Sequence, residues 1–378
     1  MTKDFSRWRY PLVLAFIIAM ASTAYGQGLT VRKDGLLVHD GKPFQGIGVN
    51  YFDAFYRTLK DPNTTSYEQG FGELSRRHIP FCRIMAGGFW PIEQAHYTKD
   101  PVGFFARFDK VVRSAERNHV GLILSLFWNP STVPDLVHEP VNAWGDSGSK
   151  TIAYMRRYVH DVVTRYRTSP AIWGWEFGNE YALGADLPNA AENRPPVVTS
   201  AGTPAARTAE DEWHYPDLAT AYALFAKEVR RYDRSRIIES GDSVLRESAW
   251  HNRHEHTWQS DTSVQQAELL EEIDRAPIDV LSVHAYGADA DRLSQYQIWA
   301  REARQPLFVG EFGVESKTPN AQSVFRHILD TIEHLDHAFA ALWVYDFDGQ
   351  ADTWNITSAG PRAWQLDAIE AANQRLAH

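Results

Sequence analysis

Gly121-Leu122-Ile123-Leu124-Ser125-Leu126 is a short apolar run. Residues 151–167 follow with apolar side chains at helical spacing. Ile172-Trp173-Gly174-Trp175-Glu176-Phe177 is a second short run. A run, an amphipathic stretch and another run describe two parallel strands joined by a crossover helix. The pattern continues in both directions. Strands are predicted at 45–50 and 81–85 upstream, and at 237–240, 280–284, 307–310 and 340–345 downstream. Helical patterns lie between them at 67–77, 103–118, 217–233 and 321–334, and a last one at 363–375. Eight strands of this α/β kind predict closure into a (β/α)8 TIM barrel. The rival is an open doubly wound sheet, but no glycine-rich phosphate turn follows the first strand. Ahead of the barrel, residues 29–44 alternate around Asp34-Gly35 and Asp40-Gly41. This predicts a small N-terminal β-hairpin that plugs the end away from the working face.

The connections are uneven. Strand-to-helix loops are long after the third, fourth and fifth strands, and the longest, 181–215, contains Pro195-Pro196. Helix-to-strand turns are short. A barrel that works at the C-terminal ends of its strands has this asymmetry. A structureless loop of that length is expected to have a function, and here it is expected to narrow a cleft.

The 378 residues are 44% hydrophobic and 23% charged, which fits one barrel over 27–378. Lys3, Arg7 and Arg9 precede an apolar run at 12–21 that is too short to span a bilayer. Small residues follow at Ala24-Tyr25-Gly26. Residues 1–26 therefore read as a signal peptide cut near Gly26, predicting a secreted or periplasmic protein with no stable membrane insertion afterwards. The net charge is −10, and removing 1–26 takes away +2, leaving −12. Such a surface is a poor partner for nucleic acid or anionic polymers. The single cysteine, Cys82, sits in an apolar run and reads as a small core residue. Thirteen tryptophans and sixteen tyrosines suit either an aromatic core or the C–H faces of sugars.

The chemistry is carried at two strand ends. The fourth strand runs into Gly178-Asn179-Glu180-Tyr181, and the seventh into Gly310-Glu311-Phe312-Gly313. Neither motif is specific alone. Together they place two carboxyls where barrel strands meet their loops, and those ends converge on the barrel mouth. One protonated and one charged carboxyl facing each other are what glycosidic bond cleavage needs, with a spacing of about 5–5.5 Å for retention or roughly 6.5–9.5 Å for inversion. Arg83, ending the second strand, is expected to hydrogen-bond Glu311. Alternation puts Ser282, His284 and Tyr286 on one face, so Tyr286 is placed to donate to Glu311, and His284 to sit beside Glu180 or the sugar. Trp343 is expected as an aromatic floor under a sugar.

The ordered set Arg83, Asn179-Glu180, His284-x-Tyr286, Glu311 and Trp343 resembles glycoside hydrolase family 5, which contains cellulases and β-mannanases. The resemblance runs from about Leu29 to the C-terminus. It implies a retaining β-glycosidase without a cofactor, acting on a β-linked polysaccharide or oligosaccharide, with Glu180 as acid/base and Glu311 as nucleophile. The chain departs from the family at the end of the third strand, where many members carry His and this sequence reads Phe127-Trp128-Asn129. Trp128 is expected there as a stacking platform and Asn129 as a polar sugar contact. Asn50, Trp90 and Tyr181 are further expected cleft residues. An exo-acting enzyme, a transglycosylase and a non-catalytic sugar-binding barrel remain alternatives. Residues 250–256, rich in histidine, lack the spacing of a zinc helix and read as a polar loop. Asp346 and Asp348 read as a solvated loop.

Overall fold

A computed structural model describes residues 28–273 and 277–377, so the predicted signal peptide lies outside the described residues. Eight strands form the barrel: β1 (Gly46–Asn50), β2 (Phe81–Met85), β3 (Gly121–Phe127), β4 (Ile172–Gly178), β5 (Ile237–Glu239), β6 (Leu281–Tyr286), β7 (Leu307–Gly313) and β8 (Ala338–Leu342). All ladder pairs are parallel, in the order β5-β4-β3-β2-β1-β8-β7-β6. Between β5 and β6 the seam is closed by Asp279. Its N–H donates to the Ile238 carbonyl at 2.9 Å, and its carboxylate accepts the Ile238 N–H at 2.8 Å. A barrel with helices outside is the predicted architecture.

All six helices predicted from spacing form, with ends shifted by at most two residues. Further helices at Tyr56–Lys60, Pro91–Lys99, Thr132–Val137, Ala249–Glu255, Ser263–Ile273 and Leu293–Ala303 complete the ring. Strand ends move more. The β6 and β7 ladders run on to Tyr286 and Gly313, whereas β8 stops at Leu342, leaving Trp343 just beyond it. The predicted hairpin is a three-stranded antiparallel sheet of Leu29–Val31, Leu37–His39 and Lys42–Pro43. It packs where expected: Leu29 and Leu37 join Phe81, Ile123, Trp173, Ile237, Phe308 and Phe339 in a closed apolar floor.

Strand periodicity then sets what lies above that floor. Phe81 belongs to the floor, so Arg83, two residues on, points into the next layer. Ile237 places Glu239 in the same way. A polar layer therefore rests on an apolar one, below the mouth.

Two loops differ from expectation. Residues 249–255 are helical, because His251 is locked by Asp261, its Nδ1 lying 2.7 Å from the carboxylate while the Asp261 oxygens also accept the Trp250 and His251 N–H groups. The 181–215 loop contains four 3-10 turns and is pinned down. Arg207 makes a two-pronged bond to Asp135 (2.6 and 2.8 Å), and Trp213 donates to the Tyr181 carbonyl. Its turn at Thr199–Ala201 lies against the helix Pro91–Lys99.

Candidate active site

Glu311 reaches the mouth through a fault in β7. Phe308 points into the floor, so strict alternation would send Gly310 inward and Glu311 outward. The β6–β7 register shifts between Val309 and Glu311. Such a bulge re-aims one side chain, and here Glu311 turns inward. Its Oε1 accepts from Arg83 Nη1 at 2.8 Å and its Oε2 from the Tyr286 hydroxyl at 2.7 Å. Both donors are those expected from the sequence.

Arg83 is fully buried and organises the layer. Besides Glu311 it donates through Nε to Glu176 (2.6 Å), through Nη2 to Asn179 Oδ1 (2.8 Å) and through Nη1 to Asn50 Oδ1 (3.2 Å). Burial works against its charge, but Glu176 and Glu311 outweigh that and hold its pKa above the ordinary value. Removing one partner of such a buried set would strand the other charges.

Glu180 is held differently. It follows β4 in the left-handed backbone region, at φ 56°, and its N–H donates to the Gly241 carbonyl at 2.9 Å. Gly241 must be glycine. Its φ is +79°, and a Cβ there would stand 2.0 Å from the Gly178 carbonyl oxygen. Glu180 Oε1 lies 2.9 Å from His284 Nδ1, and its side chain remains 30% exposed. His284 is buried, which lowers its pKa to about 4, so the imidazole is neutral at ordinary pH.

Burial pushes both carboxyls above their ordinary range. The difference between them lies in their partners. Glu311 accepts two hydrogen bonds, one from a cation, whereas Glu180 meets only a neutral ring. Two carboxyls this close do not ionise together easily, so a proton shared by the pair rests on Glu180. Oxygens of the two carboxyls and a nitrogen of His284 all lie within 4.8 Å of one another. That trio has the donor types of a metal site, but Arg83 already places a cation on Glu311 and would repel a second one.

These groups open into a cavity of about 570 Å³ whose aromatic lining is Phe52, Phe89, Trp128, Trp343, Phe347 and Trp354. Asn179, Glu180, Tyr286, Glu311, Tyr56, Lys60 and Gln350 complete it. Trp128 and Trp343 lie with rings nearly parallel, 6.0 Å apart, and Trp343 Nε1 donates to Gln350 Oε1. A second cleft of about 330 Å³ adjoins the first across Glu180 and Tyr286. It is bordered by Leu183, Ser243, Arg246, Glu247, His284, Asp289 and Arg292. Leu183 is the reach of the 181–215 loop into it.

The structure thus brings Glu180, Glu311, Asn179, Tyr286, Trp128 and Trp343 to the cavity, with Arg83 and His284 behind them. Four expected cleft residues are elsewhere. Asn50 is buried, donating to the Gly310 and Ala341 carbonyls, so it fixes strands. Tyr181 is buried against Phe177 and Trp144 and donates to the Phe127 carbonyl. Asn129 donates to the Phe89 carbonyl and accepts the Ser131 N–H, bracing the loop that presents Phe89. Trp90 caps the helix Pro91–Lys99 beside that loop and does not line the cavity, while its neighbour Phe89 does. Asp346 is partly exposed and is also an ion-pair partner of Arg57 (2.9 Å) that accepts from Tyr51, while Asp348 is exposed as expected. Sequence reasoning missed Phe52, Tyr56, Lys60, Phe347, Gln350 and Trp354, although the aromatic clusters directly after β1 and β8 were a readable sign.

A family model for cellulase, glycosyl hydrolase family 5, matches residues 39–348. The chain belongs to glycosyl hydrolase family 5. The chain is also similar to fungal mannan endo-1,4-beta-mannosidases over part of its length. It is 36% identical over 104 residues to a probable mannan endo-1,4-beta-mannosidase C of Aspergillus terreus, a match covering 25% of this chain and 26% of that protein. It is 30% identical over 169 residues to mannan endo-1,4-beta-mannosidase A of Podospora anserina, covering 38% and 42%. The matched segments therefore span less than half of either relative. Among solved structures, an endo-1,4-beta-mannanase from Rhizomucor miehei superposes with a TM-score of 0.67 at 15% identity, over 93% of this chain and 99% of that one. An endo-beta-1,4-mannanase from Thermotoga petrophila gives 0.63 at 14%, over 89% and 78%. At those identities the structural likeness speaks for the family 5 fold alone.

Proposed function

We propose that this family 5 protein is a retaining β-glycoside hydrolase that cuts β-1,4-linked mannan or its oligosaccharides. The observation that carries the reading is the carboxyl pair: oxygens within 4.8 Å in unequal surroundings. Inverting enzymes hold their carboxyls about 6.5–9.5 Å apart to admit water, and retaining ones about 5–5.5 Å. Glu311, charged and oriented by Arg83 and Tyr286, attacks the anomeric carbon as the bond to the leaving oxygen breaks. Glu180 gives its proton to that oxygen. A covalent glycosyl ester on Glu311 results. Glu180 then takes a proton from the incoming water, which displaces Glu311 with a second inversion.

The other groups fit these steps. Asn179 has its carbonyl oxygen occupied by Arg83, so its amide N–H faces the cavity, placed for a sugar 2-hydroxyl. Trp343 supplies the ring on which a sugar stacks. Glu180 stands at the junction of the two clefts, as the donor to a bond between a sugar in each must. Mannan is favoured over glucan by the named activities of the fungal relatives. Export through a signal peptide at 1–26, to the periplasm or the medium, is part of the proposal and rests on the charge and apolar pattern described above.

The test is a hydrolysis screen over β-mannans, β-glucans and aryl β-glycosides, with the first product followed by NMR. Release of the β-anomer is expected. First release of the α-anomer overturns retention, and preference for glucan overturns the substrate.

A further inference from the structure

Trp128 is held unlike the other rings of the aromatic cavity. The N–H groups of Arg83 meet five acceptors: Glu176, Glu311, Asn50, Asn179 and, at 3.4 Å, the Gly178 carbonyl. A guanidinium donates in its own plane, so those bonds leave its two faces to be covered. Trp128 covers one of them. The guanidinium carbon lies 4.3 Å from the centre of the indole ring, close to contact, so no water fits between them. Phe52 stands at a steep angle to the same ring, with centres 4.8 Å apart, and only 6% of Trp128 is left exposed. A ring that floors a sugar must present a face to it. Trp343, which lies beside Trp128 and has its N–H held by Gln350, is the more exposed of the two. Trp128 offers little surface to a ligand and a full face to the arginine.

Arg83 is the cation that orients Glu311. Its hydrogen bonds fix it within its plane, and packing on its faces resists a tilt out of that plane. The negative face of an indole attracts a cation, most strongly where water is excluded. We propose that Trp128 is a positioning residue that acts through Arg83. Its indole is a dry lid over the guanidinium, and it keeps Arg83, and with it the Glu311 carboxylate, in the geometry of attack. The sugar then rests on Trp343, and Trp128 is not the stacking platform that its place at a strand end suggested. The inference rests on the glycosidase reading above and adds a residue to its machinery.

The test is steady-state kinetics of Trp128→Phe and Trp128→Leu on the best substrate from the hydrolysis screen, with the fold of each variant checked by circular dichroism. Losing a ring that only binds sugar raises KM and spares kcat, whereas losing a lid over Arg83 does the opposite. Trp128→Leu, bulky and apolar but without an aromatic face, is expected to lower kcat about tenfold while KM stays within about twofold of wild type. Trp128→Phe keeps an aromatic face and is expected to retain about a third of wild-type kcat or more, again with KM little changed. Trp128→Met stands in for Trp128→Leu if that variant does not fold. Unchanged kcat in Trp128→Leu overturns the lid. So does a Trp128→Phe variant as slow as Trp128→Leu, or one with a raised KM at unchanged kcat. Each of these results leaves the glycosidase reading standing. A wild-type protein that cleaves no β-glycoside overturns both.

Discussion

The two ends of the barrel are built from the same strands and obey opposite rules. At the floor, Phe308 stacks on Phe339 with ring centres 4.3 Å apart, inside a cluster of apolar side chains. Three residues along the same β7, Glu311 lies in a layer containing Arg83, Glu176 and His284, all buried. The floor gains stability from burial. The mouth holds charge out of water and is stable only as a complete set. A substitution at the floor is therefore expected to change folding and spare chemistry, whereas one at the mouth costs chemistry first and also stability where it strands a buried charge.

The largest effect should come from Glu311→Ala, which lowers kcat on mannan by on the order of 10⁴-fold or more in a protein that still folds at assay temperature. A variant that keeps a hundredth of the activity would break the assignment of Glu311 as nucleophile. Glu180→Gln should cost about 10²–10⁴-fold on mannan but far less on aryl glycosides whose leaving groups need no proton. Equal losses on both substrates would remove Glu180 from the acid role. At the other end, Phe308→Ala should destabilise by about 3–5 kcal/mol in denaturant titration, with kcat unchanged at temperatures where the protein stays folded. Lost activity in a folded Phe308 variant would erase the division between the ends.

A smaller effect sharpens the comparison through pH. Asp242, buried beneath Glu180 and accepting from Ala182 N–H and the Tyr222 hydroxyl, is pushed by burial up to about 6. A carboxyl raised in the folded state binds its proton more tightly than in the unfolded chain. Its contribution is full below pH 4 and is lost as pH rises through about 6, a change on the order of 3 kcal/mol. Asp242→Asn should flatten that part of the stability curve. His284, lowered to about 4, acts in the opposite sense, losing stability as pH falls from 6.5 toward 4, so the variant must be read against wild type. An unchanged slope in Asp242→Asn would show that the carboxyl titrates normally. The smallest effect is expected from Glu176→Gln. Removing a negative charge from Arg83 strengthens its field on Glu311, so the acid limb of the kcat/KM profile should move to lower pH, by less than about one unit. A shift to higher pH would mean that Glu176 acts by aiming Arg83 rather than by charge.

The barrel was legible because alternation of short apolar runs with amphipathic stretches is a property of composition along the chain. The carboxyls were legible because each ends a strand. The β7 bulge was not, since no residue type announces it, and alternation counted from Phe308 points Glu311 away from the mouth. Glu176 and Asp242 were missed for a related reason. Their meaning comes from partners far along the chain, Arg83 for one and the Ala182 amide for the other. Asn50 and Tyr181 were read as cleft residues because they flank strand ends, and at that depth a polar side chain bonds backbone as readily as ligand. Of the aromatic wall, Trp128 and Trp343 were read at strand ends, whereas Phe52, Phe347 and Trp354 lie in clusters just beyond β1 and β8 whose composition was a sign but not a placement.

Glu180 stands in a backbone conformation that glycine and asparagine enter freely and glutamate does not. The protein carries at this position a residue that the local geometry disfavours. Laboratory selection for heat resistance alone should therefore drift here toward Asn or Gly and return a tougher, inert protein. Only selection that also demands sugar cleavage would hold Glu180 in place.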